Sequence, residues 1–195
     1  MKRVTIFIEG IAPYSASRGT DDNPRADRET HEDYDQRIWR EKANVTPEGK
    51  VCIPAMAFKQ AMDTTAYKLG EKVPNRRGAT FKNFFVSGLI CEADAVLHVN
   101  GKILTRADAE PVTISANSDG VRGSGKRVPR TFPVFRKWEC EVVMIVTDDI
   151  LTQAIIEQHA RAAGIVAGVG RFRPEKGGPN GRFRVKKFAW EDFKL

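Results

Sequence analysis

The apolar positions near the start of the chain alternate strictly. Val4, Ile6 and Ile8 are separated by Thr5 and Phe7 and followed by Glu9, the period-two pattern of a strand with one buried face. Gly10 and Pro13 close it. Pro54 opens a helical pattern from Ala55 to Leu69 that Gly70 ends. Within it Met56, Ala57, Phe58, Ala61, Met62, Thr65, Ala66 and Leu69 fall on one stripe, with Lys59 and Lys68 towards the other side. Phe84 to Val99 is aromatic and β-branched enough to predict a long strand or a broken pair, with Gly88 as a bulge. Pro111 to Ser115 adds a short strand. Trp138 to Val146 is a stronger one, and the unbroken apolar run from Val142 to Val146 predicts a central position. Thr147 or Asp148 then caps a helix running to about Ala163, with Ile150, Leu151, Ala154, Ile155 and Ile156 facing inward. Gly164 to Gly181 reads as a glycine-rich loop, and Arg182 to Trp190 as the last strand.

The regular elements therefore run strand, helix, strand, strand, helix, strand. That order predicts an α+β protein of the ferredoxin-like (RRM-like) βαββαβ type, an antiparallel sheet with two helices on one face. The 195 residues suit a single domain over residues 1–195, with insertions at about 14–48 and 100–137 and a shorter one around 70–84. The first insertion is polar and carries five basic against eight acidic residues from Asp21 to Lys42, a local −3. A polar segment of that length inside a compact domain is uncommon and usually functional.

Charge changes the picture. The chain carries 32 Lys and Arg against 25 Asp and Glu, a net charge of +7, and two segments hold more than all of that excess. Gly120 to Arg130 contains Arg122, Lys126, Arg127 and Arg130 with no acid. Gly168 to Lys187 contains seven basic residues, among them Arg171, Arg173, Lys176 and Arg182, against Glu175 alone. Clustered cations point to a polyanion, because neutralising phosphates releases condensed counterions. Phe172 and Phe183 sit between arginines and offer rings on which bases can stack. Gly168, Gly170, Gly177, Gly178 and Gly181 are expected to let backbone N–H groups approach a phosphate chain. The four middle cations, set among Gly120, Gly123, Ser124 and Gly125, predict an arm that orders only on a ligand or a neighbour.

Chemistry other than binding is sparse. Cys52, Cys91 and Cys140 are isolated and beside apolar residues, which predicts buried free thiols and neither a zinc site nor a disulfide framework. The acids Glu29, Glu32, Asp33 and Asp35 lack the spacing of a calcium loop and read as solvated surface. GVGRFR lacks the context of a phosphate-binding P-loop. No metal, cofactor or catalytic residue is assigned. No apolar stretch approaches the roughly 20 residues of a membrane helix, so a cytoplasmic protein with no membrane partner is expected.

A predicted ferredoxin-like core with the loop GVGRFRPEKGGPNGRF resembles the RAMP superfamily of CRISPR systems. The stretches APYSASRGTDDNPR (residues 12–25) and VCIPAMAFKQAMDTTA (residues 51–66) are similar to the backbone, guide-RNA-binding subunit of the effector complexes. The resemblance implies that Ser15, Ser17 and Arg18 on the first loop and Lys59 on the helix contact the guide RNA. It also implies a homo-oligomer along the strand or contacts with other effector subunits. The predicted nucleic-acid-binding set is then Ser15, Ser17, Arg18, Lys59, Arg122, Lys126, Arg127, Arg130, Arg171, Phe172, Arg173, Lys176 and Arg182, with single-stranded RNA or DNA as partner. Other readings stay open: a single-stranded DNA-binding protein of a phage or mobile element, a decoy of such complexes that binds no nucleic acid, or a metal-independent RAMP-type endoribonuclease. In the last, His31 would be a general base for a ribose 2′-OH, while Asp21 and Asp22 are similar to loop acids with which some backbone subunits cut target RNA.

Overall fold

The computed structural model describes residues 1–117 and 127–194. The described chain is a mixed α+β fold of eleven strands and four helices. In order these are β1 (Lys2–Gly10), β2 (Tyr14–Ser15), α1 (His31–Ile38), β3 (Cys52–Ile53), α2 (Ala55–Leu69), α3 (Lys82–Gly88), β4 (Leu89–Cys91), β5 (Ala95–Val96), β6 (His98–Val99), β7 (Lys102–Ile103), β8 (Glu110–Asn117), β9 (Arg127–Phe135), β10 (Glu139–Val146), α4 (Gln153–Val166) and β11 (Phe183–Asp192). The main sheet has the order β11–β1–β10–β6–β7, and β4 also pairs with β10. Every pairing in it is antiparallel.

The alternation of β1 has the expected result. Val4, Ile6 and Ile8 are buried, and Ile6 lies opposite Val142 of β10 and Phe188 of β11. Ile6, Ile8, Val142 and Met144 meet Phe58, Ala61 and Met62 of α2 and Ala160 and Ala163 of α4 in one apolar layer. Each fully buried side chain of Val, Ile, Phe or Met size contributes roughly 1.5–3 kcal/mol, so this layer carries the fold. β10 is flanked on both sides, as its unbroken apolar run predicts. A chain of rings, Tyr14–Trp138–Phe183–Phe58, links the layer to the start of the first insertion at centroid distances of 5.9, 6.5 and 6.0 Å.

Several elements differ from expectation. Lys82–Gly88 is a helix, not the start of a long strand. Phe81, Phe85 and Gly88 recur at helical spacing and are buried, and Phe85 stacks on His159 of α4 at 4.4 Å, so packing overrides β propensity. What remains of the predicted strand is broken into β4, β5 and β6. α4 begins at Gln153, with Thr152 as its cap, because the Asp148 carboxylate accepts from Ile150 N–H and turns the chain first. Its buried face is therefore Ile156, His159, Ala160, Ala163 and Gly164, while Ala154 is exposed. The helix runs on to Val166, which shortens the glycine-rich loop. On α2, Met56 and Leu69 are exposed and Lys59 is buried. The insertion at 14–48 is folded: it holds β2, α1 and a 3-10 turn at Trp39–Lys42, with Ile38 and Trp39 in the interior. Cys52 and Cys140 are buried as expected, whereas Cys91 is half-buried. Among the described residues no helix is long and apolar enough to cross a membrane.

His159 is fully buried between the Phe81 and Phe85 rings, with Nδ1 2.8 Å from the Ile155 carbonyl oxygen. Burial holds its pKa below the ordinary histidine value. The unfolded chain then takes up a proton near pH 6.5 that the native ring refuses, so stability falls as pH drops below about that value. Urea unfolding at about pH 7 and pH 5.5 should show a loss of up to about 1.4 kcal/mol per pH unit in the native protein. In His159→Phe that loss should shrink. An equal loss in both would clear this ring of responsibility.

Candidate nucleic-acid interface

A cleft of about 950 Å³ opens where the insertions meet. Ser17 and Arg18 enter it from the loop after β2, Lys42 and Asn44 from the end of the 3-10 turn, and Pro54 and Ala57 from the start of α2. The β8–β9 hairpin contributes Ser115 to Asn117, Arg127, Arg130 and Phe132, and the loop after α4 contributes Gly170 to Arg173, Lys176 and Gly177. Seven lining side chains are Lys or Arg, and among the described residues none is Asp or Glu.

Its floor is organised by one acid. Asp35 on α1 is 2% exposed and accepts a hydrogen bond from Lys42 Nζ at 2.5 Å and another from the Thr131 backbone N–H of β9. Arg130 Nη1 lies 3.5 Å from the same carboxylate. Lys42 Nζ also donates to the Thr131 carbonyl at 2.7 Å and stands 4.6 Å over the Phe132 ring. Burial pushes the Lys42 pKa down, the Asp35 contact opposes it, and Arg130 and Arg171 lower it further. Sequence reasoning missed Lys42 and Asn44 and read Asp35 as solvated. The signal was present: Asp35, Ile38, Trp39 and Lys42 follow each other by three, one and three residues, one face of a helix, and all four are buried.

The loop after α4 brings the next cations. Arg171 N–H donates to the Ser15 carbonyl at 2.7 Å, and its guanidinium carbon lies 3.6 Å from the Phe132 centroid and 4.7 Å from that of Phe172. Its buried Nε has no hydrogen-bond partner among the described residues. Burial lowers its pKa, and Arg130 lowers it further. Two of the glycines here are required by the chain's own packing. A Cβ on Gly170 (φ +77) would stand 2.5 Å from the Tyr14 ring, and one on Gly181 (φ +66) 1.7 Å from the Val169 carbonyl oxygen. Both positions need a left-handed residue and close backbone approach. Phe172, also left-handed at φ +55, is thereby turned out to 39% exposure on the cleft.

Of the predicted set, Ser17, Arg18, Arg127, Arg130, Arg171, Phe172, Arg173 and Lys176 come together. Several already have neighbours: Arg18 pairs with Asp22 at 2.8 Å, Arg173 and Lys176 pair with Glu175, and Arg127 donates to Ser115. Three do not join them. Ser15 is buried in β2, Lys59 is buried against Asp63 and the Phe85 carbonyl, and Arg182 is exposed outside the cleft with Nε donating to the Pro179 carbonyl. Arg122 and Lys126 lie outside the described residues. The expected arm is a paired hairpin at Arg127 and Arg130, which sit on β9 opposite Asn117 and Ile114. Arg184 and Lys186 spend their charge on Glu9. His31 starts α1 and is exposed, and no histidine lines the cleft among the described residues.

No family model matches the chain, and no curated protein sequence is similar to it. Solved structures are similar. A chain of the type III-B Cmr-beta assembly, seen by cryo-electron microscopy bound to cognate target RNA, superposes with a TM-score of 0.58 at 14% identity. That match covers 97% of this chain and 60% of the other, so this chain spans three fifths of its length. Cmr6 from Pyrococcus furiosus gives 0.51 at 14% identity, covering 95% and 99%. This chain shares its fold with these two Cmr proteins.

Removing one partner of a buried ion pair strands the other's charge. Asp35→Asn should therefore cost about 3–5 kcal/mol in urea unfolding. The double variant Asp35→Asn with Lys42→Met should recover part of that cost. No recovery would mean that the Thr131 N–H and Arg130, not the Lys42 charge, set it.

Proposed function

We propose that this protein is a single-stranded nucleic-acid-binding subunit, with RNA as the ligand, of a CRISPR-type effector ribonucleoprotein. The observation that carries the reading is the convergence of Arg18, Lys42, Arg127, Arg130, Arg171, Arg173 and Lys176 on one cleft that no described acid lines. Among the described residues, Lys42 and Arg130 meet at the buried Asp35 carboxylate, and the Arg171 guanidinium lies on the Phe132 ring beside them. Phe172 offers an exposed ring beside it. A cognate RNA is bound by the assembly that contains one structural neighbour. These features support a binder that recognises backbone and stacking rather than base edges.

The finer reading is of a repeating backbone subunit on a ferredoxin-like core. This reading takes β1, α2, β4, β10, α4 and β11 as the core, with the elements between them as insertions; β11, β1 and β10 are neighbours in the sheet, and β4 pairs with β10. In this reading successive protomers coat the strand, and the chain binds RNA without cutting it. The Cys and His residues then serve packing and solubility, not chemistry.

Arg171→Ala and Arg130→Gln should each weaken binding of oligouridylate and lower the slope of log affinity against log salt by about 0.7 for each phosphate no longer neutralised. Mass photometry over oligonucleotides of increasing length should give a ladder of masses, with hairpin RNA recovered intact. One stoichiometry at every length, with cleaved hairpin, would favour a processing enzyme. Preference for DNA over RNA of the same sequence would favour the mobile-element reading.

A further inference from the structure

A second basic surface lies at the opposite end of α2 from the cleft. Between Lys68 and Lys82 the chain carries Lys68, Lys72, Arg76, Arg77 and Lys82, and all five are exposed. The one acid of the segment, Glu71, is engaged by Gln158 Nε2 at 2.6 Å. None of the five cations has a carboxylate within ion-pair distance among the described residues. That sets them apart from much of the surface, where Arg3, Arg37, Lys102, Arg136, Arg161 and Arg184 each hold an acid. Two of the five rest on rings instead: Lys82 Nζ is 4.9 Å from the Tyr67 centroid and the Arg76 guanidinium 5.4 Å from that of Phe84. A ring contact orders a cation without neutralising it, so the charge stays available. Tyr67 is itself 65% exposed.

The segment is also held in shape. Val73 N–H donates to the Ala79 carbonyl at 2.9 Å and Phe81 N–H to that of Glu71 at 3.1 Å, while Lys72 and Thr80 form a β-bridge. Asn75 turns left-handed (φ 59) and Val73 is buried beneath the turn. The result is a fixed turn that presents Arg76 and Arg77 at its tip, so little side-chain order has to be imposed on binding. From Ala57, which lines the cleft, to Lys68 is roughly 16 Å of helix.

We infer that this turn is a second phosphate-binding surface, which holds a stretch of nucleic-acid backbone beyond the segment seated in the cleft. Two cations ordered on rings, an exposed tyrosine for a base, and five cations against the single acid Glu71 match a phosphodiester chain more closely than a protein face. The inference extends the nucleic-acid reading of the cleft, but it can be separated from it by ligand length. An oligouridylate of about 4 nucleotides occupies one surface, and one of about 20 can reach both.

The test is the triple variant Lys72→Gln, Arg76→Gln, Arg77→Gln, confirmed as folded by its melting temperature. Fluorescence anisotropy should show unchanged affinity for the short oligonucleotide. It should show affinity about tenfold or more weaker for the long one, with a salt slope lower by about 0.7 for each phosphate no longer neutralised. Unchanged affinity for both lengths overturns the inference, and points to an acidic protein as the partner if the turn proves essential for complex assembly. An equal decrease at both lengths overturns it where Arg171→Ala weakens both lengths too, because the variant then acts through the cleft. If Arg171→Ala leaves both lengths untouched while the triple variant weakens them, the cleft reading fails and this surface stands.

Discussion

Asp35 is the constraint on which the basic cleft depends. Two insertions far apart in sequence meet through the β2–β9 pairing and the Tyr14–Phe135 stack, and this carboxylate ties together the cationic part of the seam. It grips the β9 backbone at Thr131, anchors Lys42 from its own insertion and faces Arg130 of the hairpin. Like charges repel more strongly away from water, so cations this close need an anion between them. Among the described residues, Asp35 and the Phe132 ring fix Lys42, Arg130 and Arg171 in direction. A cleft held in this way would give up less side-chain freedom on binding an anion.

The same arrangement explains what could be read from the amino-acid order and what could not. β1, α2, β10 and β11 were legible because each buries a regular face. α3 was not: Phe84, Phe85 and Val86 favour a strand in isolation, and only the contact of Phe85 with His159 decides otherwise. The start of α4 was misplaced because Thr147, Asp148 and Thr152 are all competent caps, and the burial of Leu151 selects the last. For the cleft, runs of Arg with Gly marked two of its walls. Lys59 was drawn in by helix position and excluded by Asp63, four residues on, an ordinary pairing within a helix. Asp35 and Lys42 were hidden in a segment whose overall polarity masked a short helical stripe.

Glycine had two meanings that composition does not separate. Gly177, at φ +77 on the rim of the cleft, has nothing near the place a side chain would take. Gly170 instead presses against Tyr14 and Ser15 of the first insertion, while Gly181 presses against Val169 across the loop itself. A glycine-rich segment of this kind is a rigid platform, and its cations are aimed by the backbone rather than by their own length.

The aromatic chain from Tyr14 through Trp138 and Phe183 to Phe58 has a consequence for how such proteins diverge. It is the seam between a shared kind of packing, sheet against two helices, and walls that come from separate inserted segments. Exchanges on the walls leave the apolar layer intact, so lineages that share this fold can drift in what they hold without losing the ability to fold. Substitutions in the walls and substitutions in the apolar layer therefore touch different residues, and the seam of rings is where the two sets meet.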